Sequence, residues 1–343
     1  MGGKFKKGIL SRIDIRMIKV VNQGLGHIGR ETAKLILNDS NFKIVGAIDP
    51  KYNEINLGDL LETSLDVKIT DDAEYIFKKT KPDVLVLATC SNFREIIPSL
   101  ETAIKHKINI VSPAEELFYP EFKYIEEVEY INEFAKKNNV KILGTGVNPG
   151  CLMDVFPLHI IKNSDFDDLI SINIYRWDDT SERRDSLKIK TGVGLNEEEF
   201  YKCSKEKKIG HVGLEISVAY LADKLGFKNY EIGFSREPVT DAESGMVIGL
   251  HEFCLVVSEE KQKINLDLKM HLNVKNKNLI EVIGIKNQKQ CKEMLEYNNI
   301  VNGDISTSRI LKNAITKIVK GHSAGLNKIN YVPDPRIILK RTT

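Results

Sequence analysis

The sequence predicts an α/β protein: a doubly wound parallel sheet, then an α+β domain on a mostly antiparallel sheet. Three observations carry this. An apolar run at residues 18–21 meets glycines at 24, 26 and 29 and then a helical pattern. Apolar runs and helical patterns alternate with short connections up to about residue 146, the grammar of parallel β-α-β units. From residue 168 strand patterns follow one another with few helices between them, which favours antiparallel pairing.

Taken in order, the first unit is the most informative. Gly24, Gly26 and Gly29 have the G-x-G-x-x-G spacing between a strand and a helix, and a second apolar run at 43–48 ends in Asp49. This is the dinucleotide fingerprint of the Rossmann fold: Gly24 permits the tight turn, Gly26 lets the backbone approach a pyrophosphate, and Gly29 lets helix and strand pack closely. The N–H groups at the helix start, through His27 and Ile28, then face the phosphate charge. His27 is expected to act through its backbone rather than its ring. Asp49 is placed to accept the ribose hydroxyls and to repel a 2′-phosphate, which favours NAD; Lys51 leaves some NADP use possible.

Further elements follow from periodicity. Residues 66–70 read as a short strand and 73–79 as a helix. Residues 83–89 (DVLVLAT) form a continuous apolar run, as in a strand buried on both faces. A helix at 95–105 carries Pro98, expected in its first turn. Strands at 108–111 and 141–144 flank a helix at 123–137. Beyond the parallel sheet, a helix is expected at 151–162 and another at 212–225. Strands are expected at 169–177, 230–234, 246–258, 263–272 and 279–284. A last helix at 304–319, with Asp304 as N-cap and Gly321 as its stop, is expected to pack back on the first domain. The domains then run 17–147 and 148–302, with 303–343 a returning helix and tail. Residues 1–16 are expected to be a disordered extension.

The chain has 343 residues, 42% hydrophobic and 29% charged, with 50 basic against 48 acidic side chains and a net charge of +2. Such a balance offers no electrostatic case for nucleic acid or an anionic membrane. No apolar run approaches the ~20 residues that span a bilayer. The basic start lacks the apolar stretch and cleavage site of a secretion signal. Five scattered cysteines form no C-x-x-C pair or Cys/His cluster, so no metal is expected, and reduced thiols fit a cytoplasmic protein.

Ligands of open α/β sheets bind beyond the C-terminal strand ends. Thr89 and Ser91 can line the nicotinamide half there, with Asn92 a helix cap or a further contact. Glu115, in SPAEE after a buried strand, meets substrate or caps a helix. In GTGVNPG (144–150), Gly146 brings backbone close to a ligand and Asn148 can fix a carboxamide or a substrate polar group. Asp154 stabilises a helix start or acts as a base. Residues 176–184 gather Asp178, Asp179, Arg183 and Arg184: a solvated charged run, or substrate contacts if the loop folds over the first domain. His211 stands between two glycines ahead of a helix and reads as mobile, exposed and titratable near neutrality. The other histidines read as structural.

GLGxIGR with GAID, SPAEELxYP (112–120), GTGVNPGxxMD (144–154), GHVGLxxS (210–217) and GDxSxxxIxxxAI (303–315) together resemble the 2,4-diaminopentanoate dehydrogenase family, a group related to the dihydrodipicolinate reductases. The resemblance implies NAD(P)-dependent oxidative deamination of the C4 amine of a diamino acid, in ornithine breakdown. The H-H-x-x-K segment of the reductases is absent from this sequence. Free amine must be generated before hydride leaves, because an ammonium nitrogen has no lone pair and an alkylammonium pKa lies near ~10. His211, Asp154 and Glu115 are the candidate bases. Arg183 or Arg184 would hold the substrate carboxylate, and Asp178 or Asp179 its second ammonium. A homodimer or homotetramer is expected. Two rivals stay open: a reductase of a semialdehyde or cyclic imine, and a non-catalytic nucleotide sensor.

Overall fold

A computed structural model describes residues 16–296, 302–321 and 323–327. All but the last residue of the expected N-terminal extension, and the tail after 327, lie outside them. The first half runs β1 (Ile18–Gln23), α1 (His27–Leu37), β2 (Phe42–Ile48), α2 (Leu57–Leu61), β3 (Ile69–Thr70), α3 (Ala73–Thr80) and β4 (Val84–Leu87). Then come α4 (Phe93–Lys105), β5 (Asn109–Ser112), α5 (Glu115–Phe118), α6 (Ile125–Lys137) and β6 (Lys141–Gly144). The second half holds α7 (Val155–Asn163), β7 (Asp168–Asp179), α8 (Asp185–Lys190), α9 (Glu197–Lys205) and α10 (Leu214–Leu225). Strands β8 (Glu231–Thr240), β9 (Val247–Val257), β10 (Lys263–His271), β11 (Lys277–Lys286) and β12 (Lys289–Glu296) follow. The described chain closes with α11 (Gly303–Gly321) and β13 (Gly325–Asn327).

The first sheet has the order β13-β6-β5-β4-β1-β2-β3, with every pairing parallel. All four residues of β4 are buried, which is why its sequence is an unbroken apolar run. The chain winds outward from β1 to β3 and then returns to β4, so the switch point lies between β1 and β4. The second sheet, β12-β11-β7-β10-β9-β8, is antiparallel except for the β7–β10 pair. Its core face lies under α10, where Leu214, Ile216, Val218, Leu221 and Ala222 are buried almost completely. The final helix packs on α1, β5 and β6. Among the described residues no helix is long and apolar enough to cross a membrane.

Several element boundaries correct the sequence reading. Pro98 lies in the second turn of its helix, because Asn92 caps it by accepting from the N–H groups of Arg94 and Glu95. The helix expected from 151 begins at Val155, since Asp154 caps it. At α11 Asn302, not Asp304, takes the free N–H groups of Asp304 and Ile305, at 3.0 and 3.2 Å. The edge strand β12 has no strand signal because it is almost wholly exposed and buries no apolar face. Helix α9 was missed although its Asn196–Glu199 capping box is a readable start signal.

Candidate active site

At the end of β1 the chain turns through Gly24 at φ +87°; a Cβ there would lie 2.4 Å from the Ala88 carbonyl oxygen. A Cβ on Gly29 would lie 1.9 Å from the Gly24 carbonyl oxygen. Position 26 differs: a Cβ would meet no protein atom within 4 Å, so open space lies in front of that backbone. No side chain caps α1, which leaves its first N–H groups for a ligand. Asp49 ends β2 with Oδ2 accepting from Leu25 N–H at 2.7 Å and Oδ1 from Lys51 N–H at 2.9 Å. The carboxylate that would bind a ribose therefore also pins the glycine loop. His27 presents a half-exposed ring 3.8 Å from Asp304 Oδ2.

A cleft of about 270 Å³ opens beside this loop, between the strand ends, the start of α11 and the second sheet. Ile28, Thr89, Ser91, Glu115, Gly146, Asn148, Asp178, Arg183, Arg184 and His211 all line it, although they come from six separate stretches of sequence. Asp154 and Asp179 do not line it. Asp179 Oδ1 accepts from Ser181 N–H, Ser181 Oγ and Asn273 N–H, a turn-holding role that removes it as an ammonium acceptor.

Asp154 is fully buried and accepts from Gly150 N–H (2.9 Å), Val155 N–H (2.6 Å) and Ser217 Oγ (2.7 Å). The same Ser217 hydroxyl lies 3.1 Å from Asn148 Oδ1. Burial pushes the Asp154 carboxyl up to about 6, but the group anchors the 144–154 segment from behind the cleft. Asp154→Ala would orphan the Gly150 and Val155 N–H groups at about 1–3 kcal/mol each, while Ser217 keeps Asn148 Oδ1 as an acceptor. We expect a loss of several kcal/mol in denaturant unfolding, with the nucleotide affinity of the folded fraction retained.

His211 departs furthest from its sequence reading. Its ring lines the cleft, partly buried, and burial together with Arg176 pulls its pKa down to about 4. Nδ1 accepts from Gly213 N–H at 3.1 Å, and the Asn148 main chain hydrogen-bonds the ring. Its own N–H donates to Glu252 Oε1 (2.9 Å), which also takes Arg236 Nε at 2.6 Å. The histidine is thus neutral and held, neither mobile nor titrating near neutrality.

The charged run folds inward. Arg183 grips Asp304 with Nε and Nη2, both at 3.1 Å, and gives Nη1 to Asp178 at 2.7 Å. Arg176 takes the same Asp178 oxygen at 3.1 Å, and Arg184 also reaches Asp304. Both guanidinium groups meet Asp178 at Oδ2, so its charge is matched within the protein while the residue still lines the cleft. Arg176 and Asp304 were not singled out from sequence as site residues. Asp304 looked like a helix cap, and 121 residues separate it from Arg183.

Glu115 opens α5 against the cleft. Burial pushes its carboxyl up, opposed by a hydrogen bond from Ser91 and by the charge of Arg184. Of the three candidate bases Glu115 and His211 line the cleft, and Glu115 is the one carboxylate of the three that does so, taking hydrogen bonds from Ser91 and from its own main chain.

Comparison with known proteins relates the whole chain to dehydrogenases. Residues 153–343 match the model of the 2,4-diaminopentanoate dehydrogenase C-terminal domain, and residues 18–114 that of the dihydrodipicolinate reductase N-terminus. The chain is 29% identical to 2,4-diaminopentanoate dehydrogenase of Acetoanaerobium sticklandii, covering 94% of this chain and 95% of that protein. It is 32% identical to 4-hydroxy-tetrahydrodipicolinate reductase of Dehalococcoides mccartyi over 37% of this chain and 45% of the other. The fold superposes on an amine dehydrogenase from Mycobacterium smegmatis with a TM-score of 0.79 at 20% identity, covering 92% of this chain and 96% of that one.

Proposed function

The chain belongs to the family defined by the 2,4-diaminopentanoate dehydrogenase C-terminal domain, and from that premise we propose that it oxidatively deaminates 2,4-diaminopentanoate at C4. The products are 2-amino-4-oxopentanoate, ammonia and reduced cofactor. The full-length likeness to the Acetoanaerobium sticklandii enzyme supports an oxidoreductase acting on amines.

The observation that carries the mechanism is Glu115 facing the cleft beside the nucleotide loop, its carboxyl held up by burial. A base poised closer to neutrality than an ordinary carboxylate suits proton removal from an ammonium. The loop fits a nicotinamide dinucleotide: space is open before Gly26, the α1 N–H groups are uncapped and Asp49 stands at the end of β2. Bound there, that cofactor supplies the acceptor for the hydride from the amine-bearing carbon. Glu115 takes the ammonium proton first, which frees the nitrogen lone pair that must form the C=N bond. As water adds to the resulting ketimine, the same carboxyl returns a proton to the departing nitrogen. Asn148, held by Ser217, and neutral His211 line the same cleft. We place the protein in the cytoplasm as a homodimer or homotetramer.

The test is cofactor reduction across a panel of diamino acids, simple amines and cyclic imines. Amine-dependent reduction with 2,4-diaminopentanoate as a leading substrate is the expected result; activity confined to imine reduction would overturn the proposal. NAD should be preferred over NADP because of the Asp49 carboxylate. Asp49→Ser should move the kcat/KM ratio toward NADP, and a strong NADP preference in the unaltered protein would refute this role. The substitution also removes the Asp49–Leu25 hydrogen bond, so affinity for both cofactors should fall somewhat.

A further inference from the structure

Glu115 is followed at once by a second acid that does not line the cleft. Glu116 is 7% exposed, and its Oε2 accepts from Phe93 N–H at 2.9 Å and from the Tyr124 hydroxyl at 2.8 Å. Asn92 takes the N–H groups of Arg94 and Glu95, so Glu116 completes the capping of α4 from a different element. The Glu116 N–H donates to the Ser91 carbonyl oxygen at 3.2 Å, and the Ser91 side chain hydrogen-bonds Glu115. Ser91 therefore joins both acids. Beside them, the Ser112 hydroxyl donates to the Leu87 carbonyl oxygen at 2.6 Å and accepts from Ala114 N–H at 3.2 Å, which stitches the ends of β4 and β5 together. The far end of α5 leans on the second domain. Phe118 and Tyr119 pack on Tyr220 there, and the Tyr119 hydroxyl donates to Asp223. Helix α5 has four residues, too few to hold its own geometry, so these contacts decide where Glu115 stands.

We propose that Glu116 is the positioning residue for Glu115: its carboxyl group fastens α5 to the start of α4, and this keeps Glu115 and Ser91 paired at the cleft. Its bearing on turnover rests on the reading in which Glu115 is the base. Glu116 acts in two ways that chemistry can separate. Its reach to Phe93 and Tyr124 sets the approach of Glu115 to Ser91. Its charge, next in sequence to Glu115, opposes ionisation of that neighbour. The Ser91 hydrogen bond favours the ionised form of Glu115 and is the stronger influence. The other charged or titratable groups lining the cleft and its side lobe from the second domain are Arg176, Asp178, Arg183, Arg184, Lys190 and His211. Cys90 and Asp304 line the cleft as well. Glu116 pairs with Lys123, at 3.7 Å on its other oxygen, so a substitution at 116 leaves the set around Glu115 in place.

The experiment compares Glu116→Asp, which keeps the charge and shortens the reach, with Glu116→Gln, which keeps the reach and removes the charge. The amide oxygen of Gln has two lone pairs and can serve both donors. In the NAD-loaded protein Glu115 is followed by its carboxyl ¹³C resonance as pH is varied, the signal being assigned by its loss in Glu115→Gln. In Glu116→Asp the Ser91 contact weakens, so Glu115 should titrate at higher pH. There kcat for the diamine should fall by about 10–10²-fold, the scale of a ~1 Å misplacement. In Glu116→Gln, Glu115 should titrate at lower pH and most of the turnover should be kept. If Glu116→Asp does not fold, Tyr124→Phe takes its place: it removes one of the two donors, keeps the ring and should move the midpoint the same way by less. Midpoints that stay put in both variants, or move in the same direction in both, overturn the proposal, because an acid that only caps α4 would lower Tm without separating them. An unaltered kcat in Glu116→Asp beside an impaired Glu115→Gln overturns it too. If the midpoints part as expected but no amine reduces cofactor, the deamination reading fails and the positioning of Glu115 by Glu116 stands.

Discussion

Glu115→Gln is expected to lower kcat for the diamine by about 10²–10⁴-fold, the usual contribution of a general acid–base group, with nucleotide affinity unchanged. The amide keeps the shape of the side chain and its contact with Ser91 but cannot take the ammonium proton. The pH profile supplies the second half of the test. Because burial raises the Glu115 pKa, its basic form is lost as pH falls through that raised value. The rate should therefore show an acid limb above the ordinary glutamate range, and the limb should vanish in Glu115→Gln. It should survive in His211→Asn, because a histidine held near 4 is already neutral across that range. An acid limb removed by His211→Asn would transfer the base to the histidine. Arg184→Met gives a further check: loss of the neighbouring charge should move the limb to higher pH.

The second large effect separates two glycines of one loop. Gly29→Ala would force a Cβ to 1.9 Å from the Gly24 carbonyl oxygen, a main-chain atom that cannot rotate away. Strain of this kind costs about 1–3 kcal/mol, and it displaces α1 from the turn that shapes the nucleotide loop. The Tm should drop and cofactor binding should be lost. Gly26→Ala would meet nothing within 4 Å, and its φ of −65° suits any residue, so Tm should be unchanged. The new methyl group would still stand where the cofactor backbone must approach, and affinity should fall by at least ~10²-fold. Calorimetry and fluorescence titration of the pair test this; equal stability losses, or intact cofactor binding in Gly26→Ala, would sink the assignment of the loop.

Among the site residues, those legible in sequence are the ones whose function depends on near neighbours. The strand, glycine turn, helix and Asp49 lie within one β-α-β unit, and their spacing states their geometry. Glu115 and Asn148 were legible for a related reason: each follows the C-terminal end of a buried strand, and every such end in a parallel sheet faces the same edge. The GDxS segment was visible as a motif, yet its role was misread. A helix-start acid is ordinarily a cap, and nothing local announces a guanidinium partner far away in the chain.

What the sequence by itself determined was the alternation that makes the parallel sheet, the position of the nucleotide loop and the strand ends that carry the site. These follow from periodicity and backbone sterics, which act over a few residues. Only the tertiary structure decided which titratable groups are available for chemistry. It withdrew Asp154 behind the cleft, tied Asp178 between two arginines, neutralised His211 and left Glu115 and Arg184 facing the opening. The reason is physical: the charge state and availability of a side chain depend on desolvation and on partners that packing brings from distant segments. Neither is encoded in the spacing of residues along the chain.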